Sequence, residues 1–148
     1  MDPDARDLLA GFLGRQVRFL VVGAHALAVH GIPRATGDLD VWVERTDDNA
    51  DRIWAALADF GAPLDALRLT KADFVRPDMV VQLGLPPRRV DILTSLTGLE
   101  FADAWNDRLD QEVGGLRLPF LGRASLIRNK RATGRPRDLG DLEVLGPE

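Results

Sequence analysis

The segment that most constrains the fold is an apolar run that stops at a glycine. Val17–Val22 is short, apolar and rich in strand-forming residues, which predicts a buried β-strand. Gly23 follows it and precedes Ala24–His30, a predicted short helix that a glycine and a proline then end. The first N–H groups of a helix lack partners within the helix and carry partial positive charge. A phosphate could therefore approach the backbone closely at Gly23, where no side chain intervenes.

Three aspartates follow this glycine at informative positions. Asp38–Glu44 alternates polar and apolar residues and predicts a strand, so Asp38 and Asp40 project from one face. Asp91 lies inside a second apolar strand, where a lone carboxylate is costly unless it is paired or binds metal. Carboxylate oxygens suit Mg²⁺, and three of them can hold two ions about 3.5–4 Å apart for an in-line displacement. The spacing therefore favours phosphoryl-type transfer.

An Asp-x-Asp pair alone is a weak signal. It also fits a solvated strand end or a turn, and it occurs in glycosyltransferases and in phosphatases of the haloacid-dehalogenase type. In those phosphatases the first aspartate follows a run of strand hydrophobics, whereas Asp38 follows the polar stretch 34–37. The combination with Gly23 and Asp91 favours a catalytic pair.

The rest of the chain mixes helices and strands without strict alternation. Helices are predicted at Asp4–Leu13, Asp47–Phe60, Leu99–Arg108 (with Leu109 on the same face), Ala124–Thr133 and Leu139–Leu145. Further strands are predicted at Met79–Leu85 and Arg89–Leu93, around a Pro86-Pro87 turn, and at Leu116–Leu121. This order favours a small α+β fold with a mixed sheet over a doubly wound one.

Composition narrows the class of protein further. The 148 residues include no cysteine, which excludes disulfides, thiolate metal ligands and a cysteine nucleophile. The longest apolar run is far below the ~18–20 residues of a membrane span. The N-terminal segment is acidic and lacks the basic stretch of a secretory signal, so we expect a cytoplasmic protein without a membrane partner. No linker divides the sequence, which predicts one domain over residues 1–148.

A basic segment near the C-terminus is the clearest charge feature. Residues 123–137 carry six Lys or Arg side chains and no acid, in a chain of net charge −4. Such a segment predicts contact with phosphate, from a nucleotide or from RNA. The alternative is a solvated helix face balanced by the acids at 138, 141 and 143. Arginine outnumbers lysine 17 to 2, so Lys130 is an exception and a candidate site residue with a compact point charge.

Two residues just before the acidic pair are further candidates for nucleotide binding. Arg34 could contact phosphate oxygens as a planar fork, and Thr36 could donate its hydroxyl. The alternatives are a surface arginine and a threonine that caps the loop. His25 and His30 lie five residues apart, which misses the spacing of a zinc pair, so we expect them in the core or beside the site.

These residues resemble the nucleotidyltransferase signature of the polymerase-β superfamily: Gly23, a short helix, Asp38-Leu39-Asp40 and a later Asp91. Three longer stretches resemble the small bacterial nucleotidyltransferase-like proteins grouped near the AbiEii-type toxins and the DUF6036 family. They are Val22–Ala26, His30–Trp42 and Asn129–Leu142, and the resemblance covers about residues 17–145. Its parts are the signature at 21–44, the third acid near 91 and the basic helical segment 123–145.

The resemblance implies a minimal nucleotidyltransferase fold, with a mixed sheet flanked by helices. It implies transfer of a nucleoside monophosphate from an NTP to an acceptor hydroxyl, with two Mg²⁺ ions held by the three aspartates. Gly23 and Ala24 would cradle the triphosphate, and Lys130 stands where the family also has a lysine. Ala24 replaces the usual glycine or serine, which keeps the N–H but removes a hydroxyl.

The resemblance also implies a biological setting. The protein would be a component of a toxin–antitoxin or phage-defence pair, with an antitoxin protein as partner. The acceptor could be a tRNA end, a protein hydroxyl or a small molecule. The alternative is a catalytically silent module of the same fold that binds a nucleotide, RNA or a partner protein.

Overall fold

The computed structural model describes residues 1–85 and 88–147 of the chain. The predicted Pro86-Pro87 turn lies outside the described residues. The strands are β1 Phe19–Val22, β2 Leu39–Val43, β3 Val80–Leu85, β4 Arg88–Leu93, β5 Leu109–Val113 and β6 Leu116–Phe120. The helices are α1 Pro3–Gly14, α2 Gly23–Val29, α3 Asp47–Phe60, α4 Phe101–Asn106, α5 Arg123–Thr133 and α6 Pro136–Leu145, with a 3-10 turn at Lys71–Phe74.

The described strands form one mixed sheet in the order β3-β4-β2-β1-β6-β5. In its centre, β1 runs antiparallel to β2 and parallel to β6. The adjacent pair of β2 and β4 is parallel, while β3 and β5 pair antiparallel at the two edges. The prediction of an α+β fold with a mixed sheet flanked by helices is therefore confirmed.

The core lies against the central strands, which are apolar because both of their faces are covered. Every residue of β1 is buried. On α1, Phe12 packs edge-on against Phe19 of β1, with ring centroids 5.5 Å apart. The α3 helix begins at Thr46, whose hydroxyl accepts from the Asn49 N–H, and ends at Gly61 in the left-handed conformation. These local signals explain why the predicted bounds of α3 match the observed ones.

The region around β5 differs from its prediction. The predicted helix Leu99–Arg108 is shortened to α4, and Leu109 begins a strand instead of extending the helical face. The interior of β5 is polar and exposed because the strand lies at a sheet edge and pairs only with β6. Its sequence therefore lacks the apolar alternation by which strands are recognised. Among the described residues, every helix is too short or too polar to cross a membrane.

Candidate active site

The three predicted aspartates come together where β2 and β4 lie side by side. Asp40 and Asp91 are direct register partners on these parallel strands. Asp38 precedes β2 and lies two residues from Asp40, close enough for its charge to act on the Asp40 carboxyl. Chain positions about fifty residues apart therefore meet at one place on the sheet.

Gly23 is required here by the close approach of Asp40. Its φ is +67°, a conformation that L side chains rarely adopt. Val22, the residue before it, is the register partner of Asp40. A Cβ on Gly23 would collide with the Asp40 carboxylate. The α2 helix thus starts against the acidic cluster.

Asp40 carries its charge in an unfavourable environment. Its pKa is raised to about 6, first by burial and then by the negative charges of Asp91 and Asp38. The positive charge of Arg89 offsets only part of this effect. Clustered acids with raised pKa values are typical of sites that bind or react, because stability alone does not favour them.

Arg89 belongs to this cluster and was not among the predicted site residues. Its Nε donates to Asp91 Oδ1 at 2.9 Å, and its Nη2 lies 3.3 Å from Asp91 Oδ2 and 3.4 Å from Asp38 Oδ2. These carboxylates raise the pKa of the Arg89 guanidinium, with the hydrogen bonds to Asp91 as the largest cause. A signal was present, since Arg89 and Asp91 stand at i and i+2 of a strand and so share a face.

The donor chemistry of this cluster fits a divalent cation. It offers carboxylate oxygens only, the ligands that Mg²⁺ prefers, and burial followed by repulsion from the other two acids raises the pKa of Asp40. Within the described residues, however, no group of three or more His, Asp or Glu side chains is arranged as a metal cage. Arg89 neutralises part of the negative charge of Asp38 and Asp91.

Arg34 and Thr36 hold the loop that leads into β2. The Thr36 hydroxyl accepts from the Asp38 N–H at 3.0 Å, which is the capping contact considered above as an alternative. The Arg34 guanidinium pairs with Asp141 of α6, and that carboxylate is almost fully buried. Thr36 therefore lies next to Asp38, and Arg34 joins the same loop to α6.

Lys130 lies in a buried ion-pair network between α5 and α6. Its Nζ is 3.1 Å from Asp138 Oδ1 and 3.1 Å from Asp141 Oδ2. The pKa of Asp138 is held far below its usual value, mainly by hydrogen bonds from Arg135, with Thr133 and Lys130 adding to the effect. These ion pairs join Lys130 to α6 and, through Asp141, to Arg34, rather than directly to the three aspartates.

Other cations of the segment 123–137 are also engaged within the chain. Arg123 donates to the backbone carbonyls of Leu145 and Pro147. Arg135 donates to Asp138 and, with it, forms a capping box at the start of α6. The segment therefore contributes much of its charge to holding the two C-terminal helices together.

A cleft of about 350 Å³ opens beside the loop 36–37 and is lined by Asp2, His25 and Thr36. Burial lowers the pKa of His25, and its buried Nδ1 has no hydrogen-bond partner among the described residues. His30 instead contacts the Leu121 carbonyl through Nε2 at 2.8 Å. His25 is thus neutral near pH 7 and borders the space next to the acidic cluster.

Two solved structures share this architecture. A candidate nucleotidyltransferase from Thermotoga maritima is 17% identical, with a TM-score of 0.57 over 95% of this chain and 84% of that one. ANT(2″)-Ia, solved in complex with adenylyl-2″-tobramycin, is 12% identical with the same TM-score and the same coverage. The fold is that of a nucleotidyltransferase. No family model matches the sequence, and no curated protein matches it.

The nucleotidyltransferase fold agrees with the resemblance to the polymerase-β superfamily at the level of architecture. The narrower resemblance to the DUF6036 and AbiEii-type group stays a prediction. The described fold brings Gly23, Asp38, Asp40 and Asp91 together, places Arg34 and Thr36 on the adjoining loop, and sets Lys130 in the helical pair behind that loop.

Proposed function

We propose that the protein is a Mg²⁺-dependent nucleotidyltransferase that moves a nucleoside monophosphate from an NTP to an acceptor hydroxyl. The observation that carries this proposal is the register pairing of Asp40 with Asp91, beside Asp38. The raised pKa of Asp40 supports it, because the protein keeps repelling acids together where a cation would relieve them. The nucleotidyltransferase fold of the chain supports the same reaction class.

Each candidate residue has a role in this reaction. Asp38, Asp40 and Asp91 would hold two Mg²⁺ ions, which neutralise charge on the attacking and leaving oxygens. The acceptor oxygen forms a bond to the α-phosphorus, the bond to the bridging oxygen breaks, and pyrophosphate leaves. Asp91 would help to accept the proton of the acceptor hydroxyl.

Binding of the nucleotide falls to the surrounding residues. The backbone at Gly23 and Ala24 would face the triphosphate, since Gly23 stands directly against the acids. Arg34 and Thr36 would contact phosphate from the adjoining loop. Lys130 would support nucleotide binding indirectly. It pairs with the Asp141 carboxylate, which also pairs with Arg34 on that loop.

The acceptor and the biological partner belong to the same proposal. A tRNA end, a protein hydroxyl and a small molecule such as an aminoglycoside are the acceptors to test. The narrower resemblance to the AbiEii-type and DUF6036 group favours a toxin or phage-defence role, with an antitoxin protein as partner.

Label transfer tests the reaction. The protein is incubated with each α-³²P-labelled NTP, Mg²⁺ and a panel of tRNA, aminoglycosides and the protein itself. We expect Asp38→Asn and Asp40→Asn to reduce transfer by about 100-fold or more, since losing a metal ligand removes several kcal/mol of transition-state stabilisation. Asp110→Asn, on the edge strand β5, is the matched control and should retain the wild-type rate. Full activity in both site variants would refute the proposal.

A catalytically silent module is the second candidate. The contacts of Arg89 with two of the three acids favour it, because the guanidinium already neutralises part of the negative charge that would attract a metal ion. Calorimetry separates the two functions. Binding of an NTP with Mg²⁺, but no transfer to any acceptor, would favour the module.

A further inference from the structure

We propose that Arg89 is an internal counter-ion of the three aspartates, and that a divalent cation must displace it to bind. This inference rests on the proposed function, since it concerns the same site. On this proposal, a cation binds to the aspartates by replacing the Arg89 guanidinium, and the site is not already open before the cation arrives.

The geometry of Arg89 places it in direct competition for ligand atoms. Its guanidinium contacts both oxygens of Asp91, through Nε at 2.9 Å and Nη2 at 3.3 Å. The same Nη2 also reaches Asp38 Oδ2 at 3.4 Å. Two separate carboxylates of the candidate metal site are therefore bridged by one side chain.

The charge balance explains why the bridge forms. Asp38, Asp40 and Asp91 bring three carboxylates together, and like charges this close to one another repel. A fork of guanidinium donors matches carboxylate oxygens well and partly neutralises them. A carboxylate oxygen can coordinate a cation and still accept one hydrogen bond, but a guanidinium that lies between Asp91 and Asp38 would be close to a cation that bridges these carboxylates. The two positive charges would repel each other, which favours the exchange.

The position of Arg89 allows it to leave. Its side chain is 27% exposed, so it lies at the open side of the cluster rather than in the core. It extends from β4, next to the edge strand β3, and its flexible stem could turn toward solvent while the backbone pairing of the two strands stays as it is. Arg89 thus pairs with Asp38 and Asp91, and turning its side chain outward would release both carboxylates.

Mn²⁺ affinity measures the exchange directly. We expect Arg89→Gln to bind Mn²⁺ about fivefold more tightly than the wild type, as measured by electron paramagnetic resonance, because the competitor is gone. Without metal, the same variant should have a lower Tm, and added Mn²⁺ should raise its Tm more than that of the wild type. Arg88→Gln is the matched control, since Arg88 is exposed and pairs with Asp2 instead. Arg89→Lys should give an intermediate affinity.

The outcomes separate this inference from the proposed function. Equal or weaker Mn²⁺ binding by Arg89→Gln, with binding by the wild type intact, would overturn the exchange and leave the transferase proposal standing. Tighter binding without label transfer would support the exchange and count against the transferase. Absence of Mn²⁺ binding in every variant would overturn the exchange and the metal-dependent reaction together.

Discussion

Asp40 is held where its negative charge is unfavourable. It stands between the Gly23 backbone and the Asp91 carboxyl, and its pKa is about 6 because of burial and two neighbouring acids. A purely structural aspartate would be paired instead, as Asp138 is with Lys130 and Arg135. The contrast between these two carboxylates separates the candidate site from the supporting network.

Asp40→Asn should therefore stabilise the metal-free protein. A rise in pKa to about 6 corresponds to about 3 kcal/mol at pH 7, and partial exposure reduces this to about 1–2 kcal/mol. The expected gain in Tm is about 3–6 °C, measured by calorimetry with chelator present. Asp110→Asn should change Tm little. A clear loss of Tm in Asp40→Asn would show that its charge supports the fold.

The residues of the candidate site were largely predictable, but their meeting was implied by the family resemblance and not by any local pattern. The i, i+2 rule places Asp38 with Asp40, and it would equally have placed Arg89 with Asp91. No local pattern pairs Asp40 with Asp91, because that contact depends on which strands become neighbours in the sheet. The buried position of Lys130 was hidden in the same way, since its partners are set by how α5 packs on α6.

At the scale of elements, α5 and α6 act as a clamp on the loop that precedes β2. Lys130 and Arg34 share Asp141, so the helical pair and the loop are joined through one buried carboxylate. Thr36 then caps the backbone at Asp38. The C-terminal helices therefore stabilise the approach to the aspartates, whether or not Lys130 contacts a nucleotide.

This clamp should make stability depend on acidic pH. Hydrogen bonds from Arg135, Thr133 and Lys130 depress the pKa of Asp138. The folded protein therefore stabilises the ionised form of this carboxyl relative to the unfolded chain. That stabilisation is complete above the usual aspartate pKa of about 3.9 and is lost as pH falls below it. Asp138→Asn should be less stable at neutral pH, with a smaller fall in Tm from pH 6 to pH 3 than the wild type. Parallel Tm curves for the two proteins would contradict this role.

The elements themselves were predicted where burial imposes a pattern. The predicted bounds of α3 match because an amphipathic face, a threonine cap and a left-handed glycine agree with one another. The edge strand β5 and the 3-10 turn were missed because an exposed edge or a single turn requires no periodic apolar residues. The sequence therefore predicts the centre of the sheet better than its rim.

At the scale of the whole molecule, the mixed sheet gathers acids from separate segments at its centre. Gly23 directly follows β1, Asp38 directly precedes β2, Asp40 lies in β2 and Asp91 lies in β4. The parallel pairing of β2 with β4 requires a long crossover, which contains α3 and β3. The nucleotidyltransferase fold thus matters because it sets these carboxylates in register.

The most direct measurement is a crystal structure with a non-hydrolysable NTP analogue and Mn²⁺, read by anomalous scattering. We predict Mn²⁺ peaks about 2.0–2.2 Å from oxygens of Asp38, Asp40 and Asp91, with the triphosphate at Gly23 and Arg89 turned away. Mn²⁺ and nucleotide bound elsewhere, with Arg89 still paired to Asp38 and Asp91, would contradict the assignment of this cluster as the active site.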